Sequence, residues 1–371
     1  MKRLFILLWT LLFTFSFSVA QARSITDALG RQIAIPERVT HVLCSGSGCL
    51  RLLSYLEGQT FAVAADEMET RYEKFTARPY ALAYPEFKKL PQCGEIRGHD
   101  NPEHILMLSP APQVIFKTVS SHQGTEPDKL QKKTGIPVIA IHYGNLDSRR
   151  EELFQSLRII GEVIDKQQRA EDVVSFIQTR IADLKKRTAH IPDSKRPRTF
   201  VGGVAYRGPH GYQSTEPGYP PFAFVGAKNL AAEGCAGKAL SKHASVAKEK
   251  ILAWDPDVLF LDLSTLQMEA TASGLYELKN DPAYQSLTAV QKNRVYGVLP
   301  YNWYSKNYGS ILANAYYAGK ILYPEEFADI NPAHQADEIF RFLVGAPVFE
   351  RMNSAFSNLA FSRITVSNNG K

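Results

Sequence analysis

Residues 165–187 contain neither glycine nor proline, and Val173, Val174, Ile177, Ile181 and Leu184 recur there at helical spacing beneath a polar opposite face. A helix of about 20 residues reaches roughly 30 Å, enough to cross a small domain. On each side lies a segment of similar size that alternates strand-like and helix-like runs. Such alternation predicts parallel sheets covered on both faces. The expected fold class is α/β: two lobes with central parallel sheets, bridged by a single long α-helix, with a ligand cleft between them.

The 371 residues suffice for two ordinary domains with real cores. Their first 22 read as a leader. Lys2 and Arg3 are followed by an uncharged apolar run, Leu4 to Val19, and by the small-x-small pattern Ala20-Gln21-Ala22. The run is short for a membrane span. Cleavage is expected after Ala22, with export to the periplasm. No cysteine stands at that point, so no lipid anchor is expected. The formal charge is +6, and loss of Lys2 and Arg3 leaves +4. This mildly basic balance suits a small anionic ligand, and without a long Lys/Arg cluster it does not call for nucleic acid. Cys44, Cys49, Cys93 and Cys235 match no zinc-finger or CxxC spacing. A Cys44–Cys49 bridge, a Cys93–Cys235 bridge and buried thiols all remain open.

In chain order, residues 24–38 read as a β-hairpin around Gly30, and 39–43 as a strand running into Ser-Gly-Ser-Gly and a helix. Residues 68–95 read as irregular. Helices are expected at 101–108, 126–133 and 149–164, with strands at 61–65, 113–117 and 136–142. Beyond the long helix, strands at 199–204, 258–262 and 294–299 alternate with helices at 244–253, 276–289 and 309–322. The expected division is 1–22 leader, 23–164 N-terminal lobe, 165–190 bridging helix, 191–325 C-terminal lobe and 326–371 helical extension and tail. NPEHILMLSPAPQVIF in the first half matches AKEKILAWDPDVLFLD in the second, each reading helix, Pro-containing turn and buried strand.

Four stretches, ITDALGRQIAIPERVTHVLC, NPEHILMLSPAPQVIF, KILAWDPDVLFLD and DPAYQSLTAVQKNRVYGV, occur in an order that resembles the periplasmic substrate-binding proteins of ABC importers for ferric siderophores, haem and cobalamin. They cover nearly all of the exported chain to about Leu322. The resemblance implies two Rossmann-like lobes joined by one helix, a small-molecule metal chelate or anion as ligand, an inner-membrane permease with its ATPase as partners, and a monomer without cofactor. It also implies an acidic residue near Asn229 that docks the permease. Lys228 stands at that place, which passes the role to Glu233 or Glu216, and in the first lobe to Glu67 or Glu69.

Three loops at expected sheet edges are candidate ligand contacts. Ser45, Gly46, Ser47 and Gly48 separate a strand from a helix, where open α/β sheets bind ligands and free N–H groups favour an anion. The GxGxxG pattern with a downstream acid is absent, which argues against a dinucleotide. The loop at 206–222 is long and rich in aromatics and proline; Tyr206, Arg207, His210, Tyr212, Gln213 and Tyr219 could line the cleft. YNWYSKNY at 301–308 offers Tyr301, Trp303 and Tyr304 as apolar area with polar anchors. Arg97 is a further candidate, to pair with a carboxylate or metal-bound oxygen, while Asp100 or Asn101 caps the helix that follows. His99, His104 and His122 are weak metal candidates, since lone histidines are mostly surface or satisfied residues.

HExxH, GxSxG and Walker patterns are absent, so no enzyme is expected. The first reading is a periplasmic binding protein for an iron chelate, a ferric siderophore or related metal complex. Alternatives are cobalamin, an oxyanion such as molybdate or tungstate, or a metal-cofactor enzyme of similar architecture using Cys44 and Cys49. A single stiff helix as bridge implies little closure and a largely preformed cleft.

Overall fold

The computed structural model describes residues 22–71, 73, 75–119, 126–233 and 243–366. The leader, His122 and Cys235 therefore lie outside the described residues. Ala22–Thr26 (β1) and Gln32–Pro36 (β2) form the expected antiparallel hairpin. Asp27 closes its turn by accepting from the Leu29 and Arg31 amides, each at 3.0 Å, and ties it to the first sheet by accepting from the Ala140 amide.

The first sheet holds Val42–Ser45 (β3), Ala62–Asp66 (β4), Gln92–Glu95 (β5), His99–Asp100 (β6), Val114–Thr118 (β7) and Val138–Ile141 (β8), in the order β6-β5-β4-β3-β7-β8. Only β6 runs antiparallel. Every residue of β3, β7 and β8 is buried, which is why these strands open on apolar runs, VLC, VIF and VIAI, rather than alternating. The second half adds Arg198–Gly202 (β9), Ser214–Thr215 (β10), Lys228–Asn229 (β11), Ala244–Ser245 (β12), Val258–Asp262 (β13) and Val295–Val298 (β14). Its main sheet is parallel, in the order β11-β9-β13-β14, and β10 pairs with β12 separately.

The long helix is Gln167–Thr188, and the five apolar residues that marked it are all buried. Twenty-two residues give about 33 Å. Near its start, Arg169 donates to the Tyr55 carbonyl of the first lobe. Near its end, Arg187 pairs with Asp183 and with Asp329.

Two expectations fail locally. The stretch taken as irregular contains the short strand β5 and a short Pro79–Ala83 helix. Four half-buried residues leave no periodic signal, and the segment is held instead by side chains. Arg78 donates to the Glu69 carboxylate and the Met68 carbonyl, and the Tyr80 hydroxyl donates to Glu69. The single helix expected over 276–289 is three, Gly274–Asn280, Pro282–Gln285 and Thr288–Gln291. Pro282 has no N–H to continue the first, and Asp281 caps the second by accepting from the Ala283 amide.

The C-terminal extension ties the halves together a second time. The Pro332–Val344 helix packs on Tyr308–Leu322 and touches the Cys49–Tyr55 and Pro79–Ala83 helices of the first lobe. Its Phe342 ring stacks on Phe176 of the long helix at 3.9 Å. The tail then returns to the second sheet, where the Gly297 amide donates to the Ser362 carbonyl and the Ile364 amide to that of Val295.

Candidate ligand site

A cavity of about 490 Å³ lies where the two sheets present their carboxyl ends to each other. In the first sheet the chain passes from β3 to one side and later returns to β7 on the other, so the crevice beyond β3 and β7 is a topological switch point. Ser47, just after β3, and Thr118 and Val119, at the end of β7, line it. Tyr143, Gly144 and Asn145 after β8 and Arg149 extend this wall. The facing wall is Ala205 to Gly208, beyond β9, and Asn302 with Tyr304 to Lys306, beyond β14. Every charged lining residue is a cation: Arg97, Arg149, Arg207 and Lys306.

The first-lobe loops are braced from below. Lys117, buried at the end of β7, donates to Ser45 Oγ at 2.9 Å, to the Gly98 carbonyl at 2.5 Å and to the Asp100 carboxylate. This buried ion pair holds the 97–98 turn, in which Arg97 and Gly98 have φ of 66° and 73°. The Arg97 side chain stays exposed at the cleft, and among the described residues it has no carboxylate within ion-pair distance; nor has Arg207. Arg149 is paired with Glu152 and Lys306 with Glu216. The Thr118 hydroxyl is buried without a partner among the described residues, so the cleft also offers an unused hydroxyl.

The second-lobe wall rests on a buried acidic layer. Glu216 accepts from the Lys306 ammonium at 2.9 Å and from the Tyr301 hydroxyl. Beside it, burial pushes the Asp262 carboxyl up to about 7 from an ordinary 3.8, and the Glu216 charge adds to the effect. One Asp262 oxygen accepts from the Ser264 amide at 2.9 Å; the other has no partner among the described residues. Below pH 3.8 folded and unfolded chains both hold this proton. Between 3.8 and about 7 only the folded chain does, so stability falls as pH rises, by about 1.4 kcal/mol per unit, and levels off above. Asp262→Asn removes this titration. The melting temperature of the variant relative to the native protein is expected to rise from pH 4 to 7 and then stay constant; a difference independent of pH would refute the buried charge.

The structure brings Ser47, Arg97, Tyr206, Arg207 and Tyr304 to the cavity. It does not bring the other expected contacts there. Ser45 is buried and donates to Asp100 at 2.5 Å. Gly46 packs on Thr118, and Gly48 faces the Tyr143 ring. The anion cradle expected of this turn is spent locally: the Cys49 amide donates to the Gly46 carbonyl, and the helix that begins there has only seven residues. Tyr212 and Tyr219 are fully buried among Phe200, Tyr284, Phe222 and Tyr301. Tyr301 turns to Glu216, and Trp303 turns to Glu73 and Phe356. These aromatics support the loops rather than line the cleft.

Of the docking candidates, Glu69 is buried against Arg78 and Tyr80 and Glu216 against Lys306, so neither can reach a partner. Glu67 remains at the surface paired with Arg71, and Glu233 is 42% exposed beside Lys228. Asn101 is the helix cap, accepting from the His104 amide. Sequence reasoning missed Thr118, Tyr143, Asn145 and Arg149 as lining. Thr118 closes β7, and Tyr143 and Asn145 follow β8; these places at the carboxyl ends of strands are the signal that could have found them, whereas Arg149 stands at the start of the next helix.

Among the described residues no group of three or more His, Cys, Asp or Glu is placed to hold a metal ion. Cys44, Cys49 and Cys93 are buried free thiols, and burial pushes Cys44 well above the ordinary thiol range. No helix among the described residues is long and apolar enough to cross a membrane.

The family model for a periplasmic binding protein matches residues 101–301, more than half of the chain. The chain belongs to the periplasmic binding protein family. It is therefore a binding protein and not an enzyme, which removes the metal-cofactor alternative for Cys44 and Cys49. Over 354 residues this binding protein is 24% identical to a Haemophilus influenzae protein named molybdate-binding protein MolA, covering 89% of this chain and 93% of that one. The solved structure of MolA bound to molybdate superposes with a TM-score of 0.65 at 20% identity, covering 87% of this chain and 98% of that one. A periplasmic solute binding protein from Veillonella parvula gives 0.68 at 16% identity, over 94% and 99%. Both likenesses bear out the bilobal α/β fold.

Proposed function

We propose that this protein captures an oxyanion of the molybdate and tungstate class in its inter-lobe cleft and delivers it to an ABC permease and its ATPase. The observation that carries this reading is the cavity's charge. Four cations and no carboxylate line it, and two of the cations lack an acidic partner among the described residues. A cavity of this kind attracts anions and rejects free metal cations. Charged donors are also the strong ones toward an oxyanion. Whole-length similarity to a protein named for molybdate supports the same class. Export through the leader, with cleavage after Ala22, places the protein in the periplasm.

A second reading rests on size. About 490 Å³ lies within the roughly 300–1,000 Å³ range of pockets that hold drug-sized ligands. The walls also present Met68, Ile96, Val119 and the Tyr143 and Tyr206 rings. This combination suits an anionic metal chelate, such as a ferric siderophore carrying carboxylate or catecholate groups.

Thermal unfolding with molybdate, tungstate, sulfate, ferric chelates, haem and cobalamin separates these. A ligand at 100 times its Kd adds about 2.7 kcal/mol of stability. Stabilisation by tetrahedral oxyanions supports the first reading, and by ferric chelates alone the second. Stabilisation by cobalamin alone would reject both.

A further inference from the structure

The 301–307 loop is an unusual wall for a binding cleft. Tyr304 and Ser305 hold φ of 46° and 70°, a left-handed conformation unfavourable to residues with a side chain. Within the loop, Asn307 N–H donates to the Tyr301 carbonyl at 2.8 Å, Trp303 N–H to that of Ser305 at 3.1 Å, and the Asn307 side-chain amide to the carbonyls of Tyr301 and Trp303 at 3.1 and 3.2 Å. The carbonyls of Tyr304 and Lys306 are met instead by a group outside the loop.

That group is Arg51, fully buried on the Cys49–Tyr55 helix of the opposite lobe. One terminal nitrogen donates to the Lys306 carbonyl at 2.9 Å and to the Tyr143 hydroxyl. The other donates to the carbonyls of Trp303 at 3.1 Å and Tyr304 at 2.9 Å. Three bonds to one loop, at Trp303, Tyr304 and Lys306, use the planar fork of a guanidinium, which an ammonium cannot reproduce. Tyr143 completes the clamp by donating to the same Lys306 carbonyl.

Among the described residues no carboxylate lies within ion-pair distance of Arg51. Its partners are carbonyls, a phenol and the rings of Tyr80 and Tyr143, 4.9 and 5.5 Å from the guanidinium carbon. An unneutralised cation is costly to bury, and its field carries far in a dry interior. Here it stands directly behind Tyr143, whose ring lines the cavity.

We propose that Arg51 is an inter-lobe latch: it holds the strained 301–307 loop of the second lobe in its binding conformation and charges the cleft from behind without touching the ligand. The second half of this proposal rests on the anion reading; the first does not. Arg51 is thus a positioning residue, and the cleft is preformed because the loop is tied across the lobes before any ligand arrives.

The test uses the full exported protein and two measurements on Arg51→Lys and Arg51→Met. Hydrogen exchange of residues 301–307 without ligand, with the Gln167–Thr188 helix as internal standard, reads the latch. Both variants are expected to exchange at least about tenfold faster there, as follows from losing even one such bond. Molybdate affinity reads the charge. Arg51→Met should lose about tenfold or more and Arg51→Lys clearly less. Adding Ser305→Gly to Arg51→Lys removes left-handed strain and should restore part of the loop's protection, which a packing role would not. If Arg51→Met does not fold, Arg51→Lys with and without Ser305→Gly decides. Native-like exchange of the loop in folded variants overturns the latch. Native-like molybdate affinity in Arg51→Met overturns the charge. If the native protein binds no oxyanion while the loop responds, the anion reading fails and the latch stands.

Discussion

Changing Arg97 and Arg207 together to glycine is expected to weaken oxyanion capture by about a hundredfold or more while the melting temperature stays level or rises. Each guanidinium reaches the cavity without an acidic partner among the described residues, so each is free to meet an anion. A hydrogen bond to a charged group contributes about 1.5–3 kcal/mol, and two such losses compound. Stability should not follow, because Arg97 and Arg207 sit at φ of 66° and 57°. The left-handed region costs a residue with a side chain about 1–2 kcal/mol, and glycine's extra freedom in the unfolded chain takes back roughly 0.5–1. Calorimetric titration with molybdate beside thermal melts checks both halves. Affinity unchanged in the double variant would remove these cations from the site.

The opposite pattern is expected of Gly48→Ala, with a loss of roughly 2–5 kcal/mol of stability. Gly48 holds φ of 83°, and a Cβ there would lie 2.0 Å from the Tyr143 ring. The conformational penalty of about 1–2 kcal/mol adds to an overpacking cost of about 1–3. Tyr143 cannot step aside cheaply. Its ring stacks on Tyr308 at 5.1 Å, and its hydroxyl is held between Arg51 and the Lys306 carbonyl. The alanine variant should therefore disturb the latch as well as the fold. Denaturant melts together with exchange of residues 301–307 provide the check; a native-like melt would mean that the ring moves freely.

Much of the fold was legible because its signals are local. The long helix announced itself through five apolar residues at helical spacing, all of which prove buried. Strands β3, β7, β8 and β13 read as apolar runs because both sheet faces are covered. The short strand β5 gave no such signal, since half of its four residues are exposed. The candidate loops were located correctly as sheet-edge segments. Which of their side chains line the cavity was not legible.

The amino-acid sequence by itself determined the alternation of elements, the bridging helix and the three loops that border the cleft. Tertiary structure alone decided how YNWYSKNY presents itself. Tyr304 and Lys306 line the cavity, while Tyr301 and Trp303 turn away to Glu216 and Glu73. In a helix or strand, spacing sets direction. In an irregular loop, direction is set by whichever distant group satisfies the backbone, and here that is Arg51, more than 250 residues earlier in the chain.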